Sequence, residues 1–220
     1  MSRKAGKRSA GPSGEAVEQL VASVAEASRD SPIVVGISGY CGAGKSTLAR
    51  HLASVVDGAV RVRGDDFLDP TRSHRRSTDW DGVERTRLKA ELLDPFRAQR
   101  AGAFRRYDWS RRCLGDPEPV PRANVLVVDL IGLFHPEVLP SLDVKVWVDV
   151  DLQIAKERGL ARDARLSRDH RRLWNEVWIP NERDFESRYS PRSAPGVLTY
   201  DGRGPLAIGD AGHPSSRALT

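Results

Sequence analysis

The segment Gly39-Tyr40-Cys41-Gly42-Ala43-Gly44-Lys45-Ser46 fits the pattern GxxxxGK[ST] in full. Each part of it answers to phosphate. Glycines let the backbone turn tightly and aim successive N–H groups at one anion. A helix opening near Lys45 points its positive end the same way. The Lys45 ammonium suits the β- and γ-phosphates, and the Ser46 hydroxyl suits Mg²⁺. Gly39, Gly42, Ala43, Gly44, Lys45, Ser46 and Thr47 are therefore the expected contacts to a nucleoside triphosphate, ATP with Mg²⁺ as cofactors.

Two further carboxylates fall where such a loop needs them. Asp129 ends the apolar run NVLVVD, the place for an acid that orients magnesium, so Ser46 and Asp129 are the expected metal contacts. The next residue is Leu130 rather than the glutamate of water-splitting motors, and neither an NKxD nor an LSGGQ-type motif occurs. Asp65-Asp66-Phe67 closes a second apolar run. A carboxylate at a strand end beside the loop can accept the proton of an attacking hydroxyl, which makes Asp65 the candidate base. Asp66 is left to orient magnesium or to face solvent.

The elements that must position these groups follow from apolar spacing. EAVEQLVASVAEAS (15–28) puts Val17, Leu20, Val21 and Val24 on one helical face. IVVGIS (33–38) reads as a strand buried on both faces, and STLARHLASVV (46–56) as the helix after the loop. AVRVRG (59–64), NVLVVDLIGLF (124–134), VKVWVDV (144–150) and VLTY (197–200) read as further strands. Helical spacing covers 83–102, with an interruption expected near Pro95, then 152–164, and 168–189 with Pro180 inside. The stretch 104–122 is expected to be irregular and near the site. Trp174 and Trp178, four apart, are expected to pack against the domain. Alternating strands and helices imply an α/β fold, a parallel sheet with helices on both faces.

The chain has 220 residues, 30% of them charged and 39% hydrophobic, with a formal net charge of +5. That suits one globular domain. No apolar run approaches the roughly 18 residues that span a bilayer, so no membrane partner is expected. The first fourteen residues hold four basic ones on a Gly/Ser/Pro background, and no apolar stretch follows; a disordered basic tail is expected at 1–14, and another tail at 203–220. Cys41 and Cys113 form no CxxC pair, and a reducing cytoplasm is the simplest setting. Basic and acidic residues are interspersed, so a nucleic-acid partner is not expected; a homo-oligomer is left open.

In order, the phosphate loop, Asp65-Asp66-Phe67, Asp79-Trp80-Asp81, Tyr107-Asp108 and Val148-Asp149-Val150-Asp151 resemble the motifs of uridine kinases. Over roughly 31–202 the chain is similar to the phosphoribulokinase/uridine kinase superfamily. The resemblance implies a P-loop NTPase-type fold over 15–202, with a small helical lid at about 158–168. It implies transfer of the ATP γ-phosphoryl group to a hydroxyl of a nucleoside or similar small-molecule acceptor. It supports Asp65 as base, assigns Asp81 to sugar hydroxyls, Tyr107 and Arg112 to the acceptor pocket, and Arg158, Arg162 and Arg165 to phosphates. Arg158 would then be a substrate contact, and Arg162, with Lys45, would act on the transferring charge. The pattern departs from the family at Leu68, at Gly82-Val83-Glu84, at Arg112 (near where the family has a base-contacting histidine) and at Leu130, mostly around the acceptor. A nucleotide-binding regulatory protein that phosphorylates nothing is the alternative.

Overall fold

A computed structural model describes residues 14–202 and 206–208. The expected tails at 1–14 and 203–220 thus lie almost wholly outside the described residues. Chain order begins with helix α1 (Glu15–Ala27), strand β1 (Ile33–Ser38), helix α2 (Lys45–Val55) and strand β2 (Ala59–Arg63). Short helices α3 (Arg85–Leu88) and α4 (Asp94–Arg97) follow, then strands β3 (Ala103–Asp108), β4 (Cys113–Pro119), β5 (Val125–Asp129) and β6 (Val144–Val148). Helices α5 (Leu152–Arg165), α6 (Arg171–Leu173) and α7 (Ile179–Tyr189) precede β7 (Val197–Tyr200) and β8 (Ala207–Ile208).

The main sheet runs β2-β5-β1-β6-β7-β8, with only β8 antiparallel. Every residue of β1 and β5 is buried, which requires cover on both faces of these central strands. β1 lies between β5 and β6, while the chain leaving it returns to the sheet at β2. The crevice at the carboxyl end of β1 is therefore the switch point where ligands bind in open α/β sheets.

Several expected elements change in the fold. The apolar run 124–134 stops being strand at Asp129, because residues 130–134 turn inward as buried loop. The stretch 104–122 is a β-hairpin of β3 and β4 rather than irregular chain. Pro117 and Pro119 fit there because a two-stranded ribbon has free edges that need no donor. Residues 207–208, expected in a loose tail, add a short edge strand to β7.

Pro95 and Pro180 sit inside helical segments by one device. A π-helical stretch precedes each: Lys89–Leu93 leads into α4, and Trp174–Trp178 leads into α7. A proline ring clashes with the carbonyl four residues earlier, here Glu91 and Glu176. Both carbonyls lie in the widened turns, where i→i+5 spacing makes room. The chain from α3 to α4, and again from α6 to α7, thus continues in one direction.

Helix α5 and the α6–α7 segment meet through Trp174, which is fully buried and donates Nε1–H to Asp163 at 2.9 Å. Gly159 leaves the space: a Cβ there would lie 2.1 Å from the Trp174 ring. Overpacking of this kind costs about 1–3 kcal/mol. Gly159→Ala should lower unfolding stability by that amount in a urea titration, whereas an unchanged midpoint would mean that Trp174 is not seated on α5.

Candidate active site

The loop leaves β1 and turns through positive φ at Gly39, Gly42 and Gly44 before α2 begins at Lys45. The Lys45 side chain folds back, and its ammonium donates to the carbonyls of Gly39 and Tyr40 at 2.8 Å each. Helix α5 lies directly against the loop, since a Cβ on Gly42 would come within 2.1 Å of the Ala155 carbonyl. Glycine is required at that point by space as well as by φ.

Asp65 stands in a 3₁₀ turn (Gly64–Phe67) at the end of β2. Its carboxylate lies 3.8 Å from Arg63, with half of the side chain open to water (51%). Protein crowding and then the charge of Asp129 raise its pKa, against Lys45 and Arg63, which lower it. The fold thus brings Asp65 into the electrostatic reach of the phosphate-loop lysine. Asp66 is buried, paired with Arg106 of β3 at 3.1 Å, and serves to pin the hairpin to the 3₁₀ turn. Phe67 stacks on Phe104 at the same junction.

Asp129, expected at the metal, has both oxygens on Arg61 of β2, at 2.6 and 3.0 Å. Arg61 and Asp129 share one face of neighbouring strands two residues apart, and the buried carboxylate takes the nearest cation. Among the described residues no group of three or more His, Cys, Asp or Glu side chains could hold a metal ion. The other expected metal contact, the Ser46 hydroxyl, stands in the first turn of α2. That suits Mg²⁺ arriving with phosphate oxygens and keeping several waters, and not a protein-built cage.

The residues expected to meet substrate come from the 77–82 loop, the β3–β4 hairpin and α5. Asp81 is exposed, and its amide donates to the Ser77 hydroxyl. Tyr107 is half-buried and packs edge-on against Trp109. Arg112 sits exposed at the hairpin tip, and Arg158 is exposed on α5; among the described residues no hydrogen bond or ion pair ties either to the loop. Arg162 is half-exposed and 3.3 Å from Asp163, and its charge reaches Cys41 in the loop. Arg165 is exposed in the last turn of α5. The segment expected as a lid is thus the end of a longer helix and the turn after it.

Helix α7 forms a wall that sequence reasoning missed. Asn181 accepts from the Ser77 amide at 2.9 Å and donates to the Arg75 carbonyl, which ties the 73–82 loop down. The next residue of the same helix, Glu182, is buried and accepts from the Cys41 amide at 2.7 Å. Burial pushes its pKa up to about 7, against Lys45, which lowers it. Burial likewise pushes the Cys41 thiol up to about 12, so that sulfur is inert as a nucleophile. Glu186, a further turn on, accepts from the Tyr40 hydroxyl and pairs with Arg192 at 2.8 Å. The spacing of Trp174, Trp178, Glu182 and Glu186 by four was the signal available: one stripe, aromatic then acidic. Beside Tyr40 a cavity of about 600 Å³ opens between Asp149, Gln153, Arg183 and Arg192.

No family model matches the chain. The uridine kinase of Leuconostoc citreum is 33% identical over 144 residues, which cover 60% of this chain and 69% of that protein. The uridine-cytidine kinase C of Dictyostelium discoideum is 26% identical over 149 residues; they cover 66% of this chain but only 33% of that longer protein. Among solved structures, that of a possible uridine kinase from Bacillus stearothermophilus superposes with a TM-score of 0.66 at 15% identity, covering 84% of this chain and 97% of the other. The structural match shows the P-loop α/β fold, and the sequence relatives add the lineage: the chain belongs to the uridine kinase-like superfamily of P-loop kinases.

Proposed function

We propose that this protein transfers the γ-phosphoryl group of ATP to a hydroxyl of a small molecule, a nucleoside or a similar hydroxylated metabolite, with uridine the first acceptor to try. One observation carries this proposal: Asp65 sits at a strand end within reach of the charge on Lys45. Relatives named uridine kinase and uridine-cytidine kinase support the substrate class.

The loop amides and Lys45 would hold the ATP phosphates, with Lys45 leaving its own carbonyls to do so. The cavity beside Tyr40 would take the rest of the nucleotide. Bound Mg²⁺ would offset negative charge on the phosphates, with Ser46 as its protein contact. Asp65 would take the acceptor proton, Arg162 would approach the transferring group, and Asp81 and Tyr107 would face the acceptor. Among the described residues no helix is long and apolar enough to cross a membrane.

An ADP-release screen over pyrimidine and purine nucleosides, pantothenate, glycerate and phosphorylated sugars tests the proposal. ATP binding with no acceptor-dependent release across the panel would favour a regulatory protein instead. Asp65→Asn should lower turnover by about 10²-fold or more while ATP binding persists, as loss of a general base does; near wild-type turnover would reassign the base. Asp129→Asn should leave Arg61 without its anion and cost about 3–5 kcal/mol of stability by chemical denaturation, with the magnesium dependence of turnover unchanged. A raised magnesium requirement at unaltered stability would return Asp129 to the metal.

A further inference from the structure

The contact between Glu182 and the loop has no part in the transfer chemistry above. Its carboxylate oxygen rests 2.7 Å from the Cys41 amide, and the side chain is 3% exposed. It therefore occupies one donor of a loop whose donors suit phosphate. Two further contacts fasten the helix that carries it. Tyr40, the residue before Cys41, bonds to Glu186 on the same helix, and Asn181 holds the 73–82 loop on its other side. Glu182 has little freedom to swing away while α7 stays seated. A nucleoside triphosphate brings several negative charges against this buried carboxylate, and at low dielectric such a like-charge encounter is severe.

The groups around Glu182 leave little to offset that repulsion. From the loop it faces Lys45 and the Cys41 amide; from its own helix Glu186 adds negative charge; and the Trp80 indole lies against it from the 77–82 loop. Asp65 and Arg162 act on the neighbouring Cys41. Lys45 is the cation that acts most strongly on Glu182. Phosphates would draw Lys45 toward themselves and weaken what keeps Glu182 ionised.

Resting on the assignment as an ATP-dependent kinase, we infer that Glu182 is a positioning residue of the phosphate site, and that MgATP binding is coupled to uptake of one proton by its carboxylate. Solvent supplies the proton. The neutral carboxyl keeps one oxygen on the Cys41 amide, and no charge then opposes the phosphates. Release of nucleotide returns the proton to solvent. In the nucleotide-free protein Glu182 titrates at about 7, within reach of a neutral solution. The phosphates raise that value further in the complex.

The test is MgATP binding to the full chain without acceptor, by calorimetry between pH 7.5 and 9, above the phosphate's own ionisation near pH ~6. Affinity of the wild type should fall about tenfold per pH unit over the part of this range below the complexed value, the slope for one linked proton. Titrations in buffers of different ionisation enthalpy should report close to one proton taken up per nucleotide. Glu182→Gln should abolish both slope and uptake and bind more tightly at the alkaline end. Asp65→Asn, which removes the other carboxylate beside the loop, should keep the slope. A flat wild-type profile overturns the inference whether or not the Gln variant folds. So does a slope that survives in Glu182→Gln and vanishes in Asp65→Asn. Absence of MgATP binding at every pH would defeat the inference and the kinase assignment together, whereas binding without proton uptake defeats the inference alone.

Discussion

Donors gathered at the end of a buried strand must be satisfied, and around β1 that requirement orders much of the molecule. The loop from Gly39 to Ser46 collects backbone N–H groups, a helix N-terminus and the Lys45 ammonium at one point. Unpaired buried donors cost about 1–3 kcal/mol each, so the protein supplies partners of its own. Lys45 bends onto two loop carbonyls, and Glu182 comes from α7, some 140 residues away in sequence, to the Cys41 amide. The positive charge of the loop is thus already met from inside the protein. A phosphate reaching the loop must compete for Lys45 with the two carbonyls that hold it.

The carboxylates nearby divide by what each finds within reach. Asp66 and Asp129 are buried and take arginines, so they join the hairpin to the 3₁₀ turn and β2 to β5. Asp65 is half-open and, among the described residues, has only a long side-chain contact to Arg63. Similar acids at neighbouring strand ends acquire different work because Arg61 of β2 reaches Asp129 and Arg106 of β3 reaches Asp66. The same economy holds for α7, which ties down the 73–82 loop through Asn181 and touches the phosphate loop through Glu182 and Glu186. Its course depends on the widened turn that lets Pro180 stay within the helix.

The sequence alone determined the anion loop, because its glycines, lysine and serine act through local backbone geometry that eight contiguous residues specify. It also determined the α/β alternation and the buried character of β1, since apolar runs report burial directly. It placed Asp65 at a strand end, though not its partners. Tertiary structure alone decided that Asp129 meets Arg61, that the proline-bearing stretch after residue 104 pairs as a hairpin, and that 207–208 extend the sheet. Each of these depends on which segment lies next in space, and spacing along the chain carries no such information. Glu182 is the clearest case: as sequence it is one acid in a charged helix, and only the packing of α7 on the loop turns it into a buried carboxylate seated on a loop amide.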